Sequence, residues 1–348
     1  MDVSNSRAAF CSKHQLNQYL DFCDTSKITS LCDFGKRLCS LGLTQIKSLG
    51  MMTKTNLVYI IFLCSCFVAL GQKSLDEIKK EYDSLTINSN YGNNPDTGKY
   101  YDVRGFKMYC ETYGEGHPLL LIHGNGASIS AFVKQIPFFS KKYKVIVADS
   151  RNHGKSVDKL DSLSYEMMAD DYAALLSQMK IDSAYVLGWS DGGVNGLLLA
   201  IRHPEKVKKL VITGANLRPD SSAVSPDVLK RVAKTYNMFE KMFSGKEAKT
   251  PLDSIVYKYI KLLVEQPNIP VDELHKIKIP TLVVGGDHDV IKPDHTLEIF
   301  QNIPKAYLWI LPNSGHYTLV THTDEFNRTA NDFFTTKYRK IVDRDRDF

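Results

Sequence analysis

One short segment of the chain, LGWSDGG at 187–193, has the composition of a turn that exposes a nucleophile. Ser190 lies between Gly188 and Gly192 in a Gly-x-Ser-x-Gly pattern. Glycines at these two positions permit a very tight turn, because a Cβ atom there would collide with a neighbouring strand or helix. A turn of this kind serves to expose a serine hydroxyl at the end of a strand, so Ser190 is a candidate nucleophile.

A serine hydroxyl becomes a good nucleophile only when a base takes its proton, and the base needs an acid to fix its tautomer. Both residue types follow Ser190 along the chain. The apolar run 281–285 leads into Gly-Asp-His-Asp, which supplies Asp287 and Asp289 as candidate acids. A later apolar run leads into Pro-Asn-Ser-Gly-His, which ends at His316. The chain therefore supplies, after the serine, both groups that its activation requires.

From residue 100 onward, short apolar runs alternate with segments of helical spacing. The apolar runs predict strands at 105–113, 118–122, 144–148, 183–188, 209–213, 281–285 and 306–311. The helical segments are 131–141, 164–180 and 193–202. This order predicts an α/β fold with a mostly parallel central sheet and helices on both faces. Since the carboxyl ends of parallel strands meet at one edge, the candidate serine, acid and base should converge there.

The stretch 217–276 interrupts this alternation between two predicted strands. It is rich in Tyr, Met, Phe and Lys with helical spacing, which predicts a helical cap inserted over the active edge of the sheet. We expect the cap to belong to a domain at 99–338. We expect a linker or N-terminal segment at 72–98 and a charged tail at 339–348.

The segments around these residues resemble those of the α/β-hydrolase family, whose triad follows the chain order serine, acid, histidine. The resemblance extends over 99–336 and implies the α/β-hydrolase fold. It implies Ser190 as the nucleophile and His316 as the general base. Asp289 matches the family acid, because family sequences usually have Gly-x-x-Asp before an apolar residue or proline at this position. Asp287 remains the competing acid.

Two further loops carry the resemblance. The segment His-Gly-Asn-Gly at 123–126 is similar to the family's HGxG loop, which implies that Asn125 supplies one oxyanion-hole donor and that the backbone of Asp191 supplies the other. His123 is interpreted as a loop-packing residue. The segment 149–156 is similar to the family's D-x-R-G-H-G-x-S stretch, but Asn152 replaces the usual glycine. We interpret this segment as structural.

Within the family, GWSDGG looks like the biphenyl hydrolase-like and valacyclovir-hydrolase branch. There, the aspartate after the serine can hold the ammonium group of a substrate, and Asp191 matches that position. A carboxylate beside the nucleophile would attract a cation and disfavour an anionic acyl group. The alternative is that Asp191 only forms hydrogen bonds to nearby backbone.

These features favour a serine hydrolase that acts on a carboxylic ester, thioester or amide, the amide case including an aminopeptidase. The same fold and triad could instead support C–C bond hydrolysis or cofactor-free haloperoxidase chemistry. A non-catalytic small-molecule receptor is a third hypothesis. No cofactor or metal is implied, since His288 and His295 near Asp289 have no evident third ligand and are interpreted as solvated loop residues.

The chain has 348 residues and a formal net charge of +5 at pH 7. No basic stripe with interleaved aromatic residues stands out, which disfavours nucleic acid as a partner. The sequence gives no indication of an oligomeric state. After residue 71 the single cysteine is Cys110, so an internal disulfide there is excluded and we expect a packed strand residue.

The segment 51–71 has the layout of a secretory signal peptide, with Lys54 before an apolar run and a small-x-small site at its end. It predicts an exported protein, periplasmic or secreted. Leu-Cys-Ser-Cys, which ends at Cys66, resembles a lipobox, and it predicts a lipid anchor on Cys66 as the alternative to a free exported protein. Residues 1–50 lie upstream of this signal, so we expect a non-native or disordered leader and a start at Met51 or Met52.

Overall fold

One sheet dominates the computed structural model, which describes residues 73–160, 162–245 and 250–341. Its strand order is β1-β2-β4-β3-β5-β6-β7-β8. The strands are β1 (Gly98–Val103), β2 (Phe106–Tyr113), β3 (His117–Ile122), β4 (Tyr143–Ala148), β5 (Ala184–Trp189), β6 (Val207–Thr213), β7 (Thr281–Gly286) and β8 (Ala306–Leu311). Strands β1 and β2 pair antiparallel, as do β2 and β4, and the remaining pairs are parallel. The predicted mostly parallel sheet is confirmed.

The α-helices are α1 (Leu75–Asn88), α2 (Ile136–Phe139), α3 (Tyr165–Gln178), α4 (Asp191–Arg202), α5 (Pro226–Ser244), α6 (Pro251–Glu265), α7 (Pro293–Asn302), α8 (Thr318–Thr321) and α9 (Thr323–Thr335). Short 3-10 turns occupy Ile129–Phe132, Pro204–Lys206 and Val271–Lys276. Helices α5 and α6 and the last of these turns lie between β6 and β7 in the chain. They form the predicted helical cap insertion.

The core lies on both faces of the sheet, because successive side chains of a strand point in opposite directions. In β3, Leu120 and Ile122 pack with α3 and α4, whereas Leu119 and Leu121 pack with the helices on the other face. All four side chains are fully buried. A strand that is covered on both faces has a continuous run of apolar residues, and for this reason the central strands could be predicted from the sequence. Cys110 is buried in β2, as expected.

Helix α1 lies in the segment that we interpreted as a linker. Its first turn is a capping box, in which the Ser74 hydroxyl accepts from the Glu77 backbone N–H and the Glu77 carboxylate accepts from the Ser74 backbone. Tyr82 attaches the helix to the domain, since its hydroxyl donates to the Ala131 carbonyl oxygen at 3.0 Å. The Ser-x-x-Glu spacing was a readable signal for this helix.

The helix predicted at 131–141 is wrong as a continuous element. A 3-10 turn ends at Phe132, and the short helix α2 starts at Ile136 with Pro137 in its first turn. Proline has no backbone N–H and its ring collides with the preceding helical turn, so a helix can begin at this position but cannot run through it.

The predicted signal segment, Cys66 and the residues upstream of them lie outside the described residues, as does most of the charged tail. Export and a lipid anchor therefore stay predictions. None of the helices in the described ranges combines the length and apolar content that a bilayer crossing requires.

Candidate active site

The turn between β5 and α4 brings Ser190 to the carboxyl edge of the sheet. Ser190 has φ 56° and ψ −123°, a backbone conformation that residues with a side chain rarely adopt. The flanking glycines make this turn possible by close approach. A Cβ atom on Gly188 would lie 2.1 Å from the Gly192 carbonyl oxygen, and one on Gly192 would lie 1.9 Å from the Ile122 carbonyl oxygen. The predicted role of both glycines agrees with these contacts.

Ser190, His316 and Asp289 form one continuous line of hydrogen bonds. The Ser190 Oγ lies 2.9 Å from Nε2 of His316, and Nδ1 of His316 lies 2.7 Å from Oδ1 of Asp289. The Asp289 side chain is buried, and Oδ1 also accepts from the Ile291 backbone N–H at 3.0 Å. With Nδ1–H donated to the carboxylate, Nε2 is free to accept the serine proton.

Charge around His316 favours its protonated form. Burial alone would lower the pKa of the His316 imidazole, but the adjacent Asp289 carboxylate raises it above its ordinary value, and Asp191 adds to this effect. An imidazole whose pKa is raised in this way is a stronger base toward the serine hydroxyl.

Asp287, the competing acid, lies elsewhere in the same loop. Its carboxylate accepts hydrogen bonds from the backbone N–H groups of Asn313 and Ser314, at 2.9 and 3.0 Å, and from exposed His288. These bonds hold the pKa of Asp287 well below its usual range. Asp287 therefore fastens the loop that carries the base, and Asp289 is the carboxylate in contact with His316.

Asn125 and Asp191, the predicted oxyanion-hole residues, are neighbours of the serine. Asp191 is the first residue of α4, and Asn125 follows Gly124, whose Cβ position lies 3.1 Å from Cβ of Ser190. The two side chains also contact each other, since Nδ2 of Asn125 donates to Oδ2 of Asp191 at 2.9 Å. The structure brings both residues to the nucleophile, and their role as backbone donors stays a prediction.

Asp191 is a buried carboxylate, 6% exposed. Burial raises its pKa to about 6, although hydrogen bonds from Asn125 and Tyr165 oppose the rise. Tyr165, at the start of α3, is itself fully buried. A negative charge that is incompletely offset thus lies beside Ser190. The sequence did not indicate Tyr165 as part of the site, because it lies 26 positions away from Asp191 on another helix.

His123 packs the loop after β3, as we interpreted it. Its Nε2 accepts from the Ser150 backbone N–H at 3.0 Å, and its Nδ1 lies 2.8 Å from the Gly124 carbonyl oxygen. Burial lowers the pKa of His123 to about 4, so the ring is neutral near pH 7.

The interpretation of His295 as a solvated residue is wrong. His295 lies in the first turn of α7 and is 1% exposed, with Nε2 accepting from the Leu217 backbone N–H and Nδ1 donating to Glu298. The first turn of α7 buries the face that carries His295, and the position of His295 close to Asp289 in the sequence gave no sign of this helix. Among the residues that the structure describes, no group of three or more His, Cys, Asp or Glu side chains has a geometry for a metal ion.

The segment 149–156 anchors the loop after β4. Arg151 is 2% exposed and donates to Asp171 through two nitrogens and to Asp158 through a third, each at 2.7 Å. Asn152 has φ 62°, the left-handed region that the family glycine adopts more easily. The contacts of Arg151 agree with the structural interpretation of this segment.

Tyr259, on the cap helix α6, contacts two loops beside the site. Its ring stacks on His153, with centroids 4.3 Å apart, and its hydroxyl donates to the Asn152 carbonyl oxygen. Its own carbonyl oxygen accepts from Nδ2 of Asn125 at 3.4 Å, so this amide contacts both the cap and Asp191. The sequence pattern could not reveal the contacts of Tyr259, because these contacts depend on how the cap packs on the domain.

The fold and this geometry agree with the comparisons to known proteins. A family model described as the alpha/beta hydrolase fold matches residues 117–266. The serine hydrolase BPHL of Mus musculus is 30% identical over 247 residues, which cover 66% of this chain and 84% of that protein. The chain therefore belongs to the α/β-hydrolase family, as the motifs indicated.

Two other proteins extend this comparison. A 2-hydroxy-6-oxononadienedioate/2-hydroxy-6-oxononatrienedioate hydrolase of Comamonas testosteroni is 27% identical, over 66% of this chain and 92% of that protein. The solved structure of MGS-M2, an α/β-hydrolase enzyme from a Medee basin deep-sea metagenome library, has a TM-score of 0.61 at 19% identity and covers 70% of this chain and 100% of that one. The second likeness concerns the fold alone.

Proposed function

We propose that this chain is a serine hydrolase that cleaves a carboxylic ester, thioester or amide through an acyl-enzyme. The observation that carries the proposal is the line of hydrogen bonds from Asp289 through His316 to Ser190, at 2.7 and 2.9 Å. Nucleophile, base and acid have the mutual geometry that general-base activation of a serine requires.

In the first half of the reaction, the Ser190 Oγ attacks the carbonyl carbon while Nε2 of His316 takes its proton. Asp289 stabilises the imidazolium that forms. Negative charge develops on the carbonyl oxygen, and backbone N–H groups of Asp191 and Asn125 would stabilise it. The position of Asp191 at the N-terminus of α4 favours this assignment, because a helix N-terminus attracts negative charge.

Acylation is complete when the imidazolium gives its proton to the departing alcohol, thiol or amine and the acyl group stays on Ser190. Water then enters, His316 takes one of its protons, and the hydroxide equivalent attacks the acyl carbon. Collapse of this intermediate returns the proton to Ser190 and releases the carboxylic acid.

The acyl group that fits best carries a positive charge or none. The Asp191 carboxylate is buried beside Ser190, where it would attract an ammonium group and repel a carboxylate of the substrate. We therefore propose that aminoacyl and neutral esters are preferred over succinyl-type esters.

C–C bond hydrolysis is the second candidate, and the named activity of the Comamonas testosteroni relative favours it. Substrates of that kind are carboxylic acids. The buried charge of Asp191 disfavours such anions, so we rank ester or amide cleavage first.

The test is a substrate panel with the full chain and its Ser190→Ala variant. The panel holds neutral, aminoacyl and succinyl nitrophenyl esters and a 2-hydroxy-6-oxo dienoic acid, and a fluorophosphonate probe reports an activated serine. We expect labelling at Ser190 and ester turnover that the variant lacks. A folded wild-type chain with neither labelling nor turnover would favour the receptor hypothesis. Turnover of the dienoic acid alone would favour the C–C hydrolase.

A further inference from the structure

Trp189, the residue before the candidate nucleophile, contacts the residue that carries the base. Its indole Nε1–H donates to the backbone carbonyl oxygen of His316 at 3.0 Å. Trp189 is the last residue of β5 and is 5% exposed. The turn that exposes Ser190 therefore also holds a hydrogen-bond donor directed at the opposite loop.

Packing fixes the direction of this donor. The Trp189 ring meets Tyr317 edge to face, with centroids 4.9 Å apart and an interplanar angle of 66°. It belongs to the apolar cluster on one face of the sheet, with Leu187 of the same strand and Leu319 of α8. An indole packed in this way has few alternative orientations, so its N–H is aimed before any substrate arrives.

Other contacts hold the residues on either side of His316. Asp287 accepts from the backbone of Asn313 and Ser314, and the Thr318 hydroxyl lies 2.7 Å from the Thr213 hydroxyl in a buried pair. These contacts fasten both ends of the loop to β6 and to the loop after β7. The indole bond acts at His316 itself, where the backbone position sets the distance from Nε2 to the serine.

We propose that Trp189 is a positioning residue that sets the base against the nucleophile, an inference that rests on the proposed serine-hydrolase function. Because Trp189 and Ser190 are consecutive in one rigid turn, the bond to the His316 carbonyl ties the base to the strand end that carries the nucleophile. Without the donor, this carbonyl loses its partner and the loop is free to relax.

A displacement of about 1 Å in a catalytic constellation can lower a rate about a hundredfold. The effect should appear in the chemical step, since Trp189 holds the base rather than the substrate. We therefore expect kcat to fall by about ten- to a hundredfold while KM for a neutral ester stays close to the wild-type value.

The experiment replaces Trp189 by β-(3-benzothienyl)alanine, in which sulfur takes the place of the N–H and the ring shape is kept. Trp189→Phe is the second variant, and Trp309→Phe is the matched control. Trp309 lies on β8 and stacks on Phe326. For each chain, kcat, KM, the rate of fluorophosphonate labelling at Ser190 and the thermal midpoint are measured.

We expect both Trp189 variants to lose kcat and labelling rate by the same factor, with KM retained, and the Trp309 control to keep all three. Wild-type kcat and labelling in the benzothienyl variant would overturn the inference, as would an equal loss in the control. A wild-type chain that is not labelled at Ser190 would instead contradict the proposed function, so the two failures are distinguishable.

Discussion

Replacing Asp191 by asparagine removes one negative charge beside Ser190 and keeps an oxygen that can accept the hydrogen bond from Asn125. With a pKa of about 6, the wild-type carboxylate is about nine-tenths ionised at about pH 7. An ammonium group about 4 Å from this carboxylate would gain about 4 kcal/mol at an effective dielectric constant of about 20. Removing one partner of a buried charge pair typically costs about 2 kcal/mol or more.

We therefore expect Asp191→Asn to lower kcat/KM for an aminoacyl nitrophenyl ester by about 30- to 1,000-fold, which corresponds to about 2 to 4 kcal/mol. For the neutral counterpart, with hydrogen in place of the amino group, kcat/KM should change far less, and for a succinyl ester kcat/KM should rise. The assay measures kcat/KM for the three esters with both chains, as a cycle of protein charge against substrate charge.

The charge hypothesis fails if Asp191→Asn lowers kcat/KM for the aminoacyl ester and for the neutral ester by the same factor. Such a result would assign Asp191 to the geometry of the turn, where it contacts Asn125 and Tyr165. Thermal midpoints of both chains accompany the kinetics, because a shared loss with a lower midpoint would identify a folding effect.

Two further predictions concern the same edge of the sheet. Because the pKa of His316 is raised, kcat/KM for a neutral ester should fall as the pH drops through the pKa of His316, where the base becomes protonated. For an aminoacyl ester, kcat/KM should fall more steeply below about pH 6, where Asp191 becomes neutral. Asp191→Asn should remove this difference between the two esters. A parallel pH profile for the two esters would contradict this. Asp289→Asn should lower kcat by about 10⁴-fold through the wrong histidine tautomer, as read by steady-state kinetics. Asp287→Asn, at a side chain that is 36% exposed, should cost mainly stability, about 0.5 to 1.5 kcal/mol, as read by thermal unfolding. Equal losses of kcat would refute the assignment of Asp289.

The central strands were predictable because burial on both faces leaves a continuous apolar signature, as in β3 and β4. The first elements were harder. Strand β1 lies at an edge of the sheet and only its last residue, Val103, is buried, and α1 has no buried residue. Elements that bury little leave a weak apolar pattern, so local signals such as the capping box of α1 were the available guide.

The candidate triad was predictable for a different reason. Each of Ser190, Asp289 and His316 lies within five residues of the carboxyl end of a parallel strand, so the topology brings them to one edge of the sheet. The choice between Asp289 and Asp287 depended on the family pattern, since both lie in one loop. Contacts such as those of Tyr165 and Tyr259 join positions far apart in the chain and depend on side-chain direction, which no spacing rule supplies.

The carboxylates at this edge of the sheet differ in the hydrogen-bond donors that they contact, and this difference favours Asp191 as the carboxylate that binds the substrate. Asp149 accepts from the backbone of Ile129 and Lys155, and Asp287 accepts from two backbone N–H groups of the base loop. Backbone donors are fixed by the fold, so those charges are committed to loop structure. Asp191 instead accepts chiefly from the side chains of Asn125 and Tyr165, and its backbone contact is to its own N–H and not to another loop. The Asn125 amide is half-buried and can rotate away, so an incoming ammonium group could take its place without unfolding a loop.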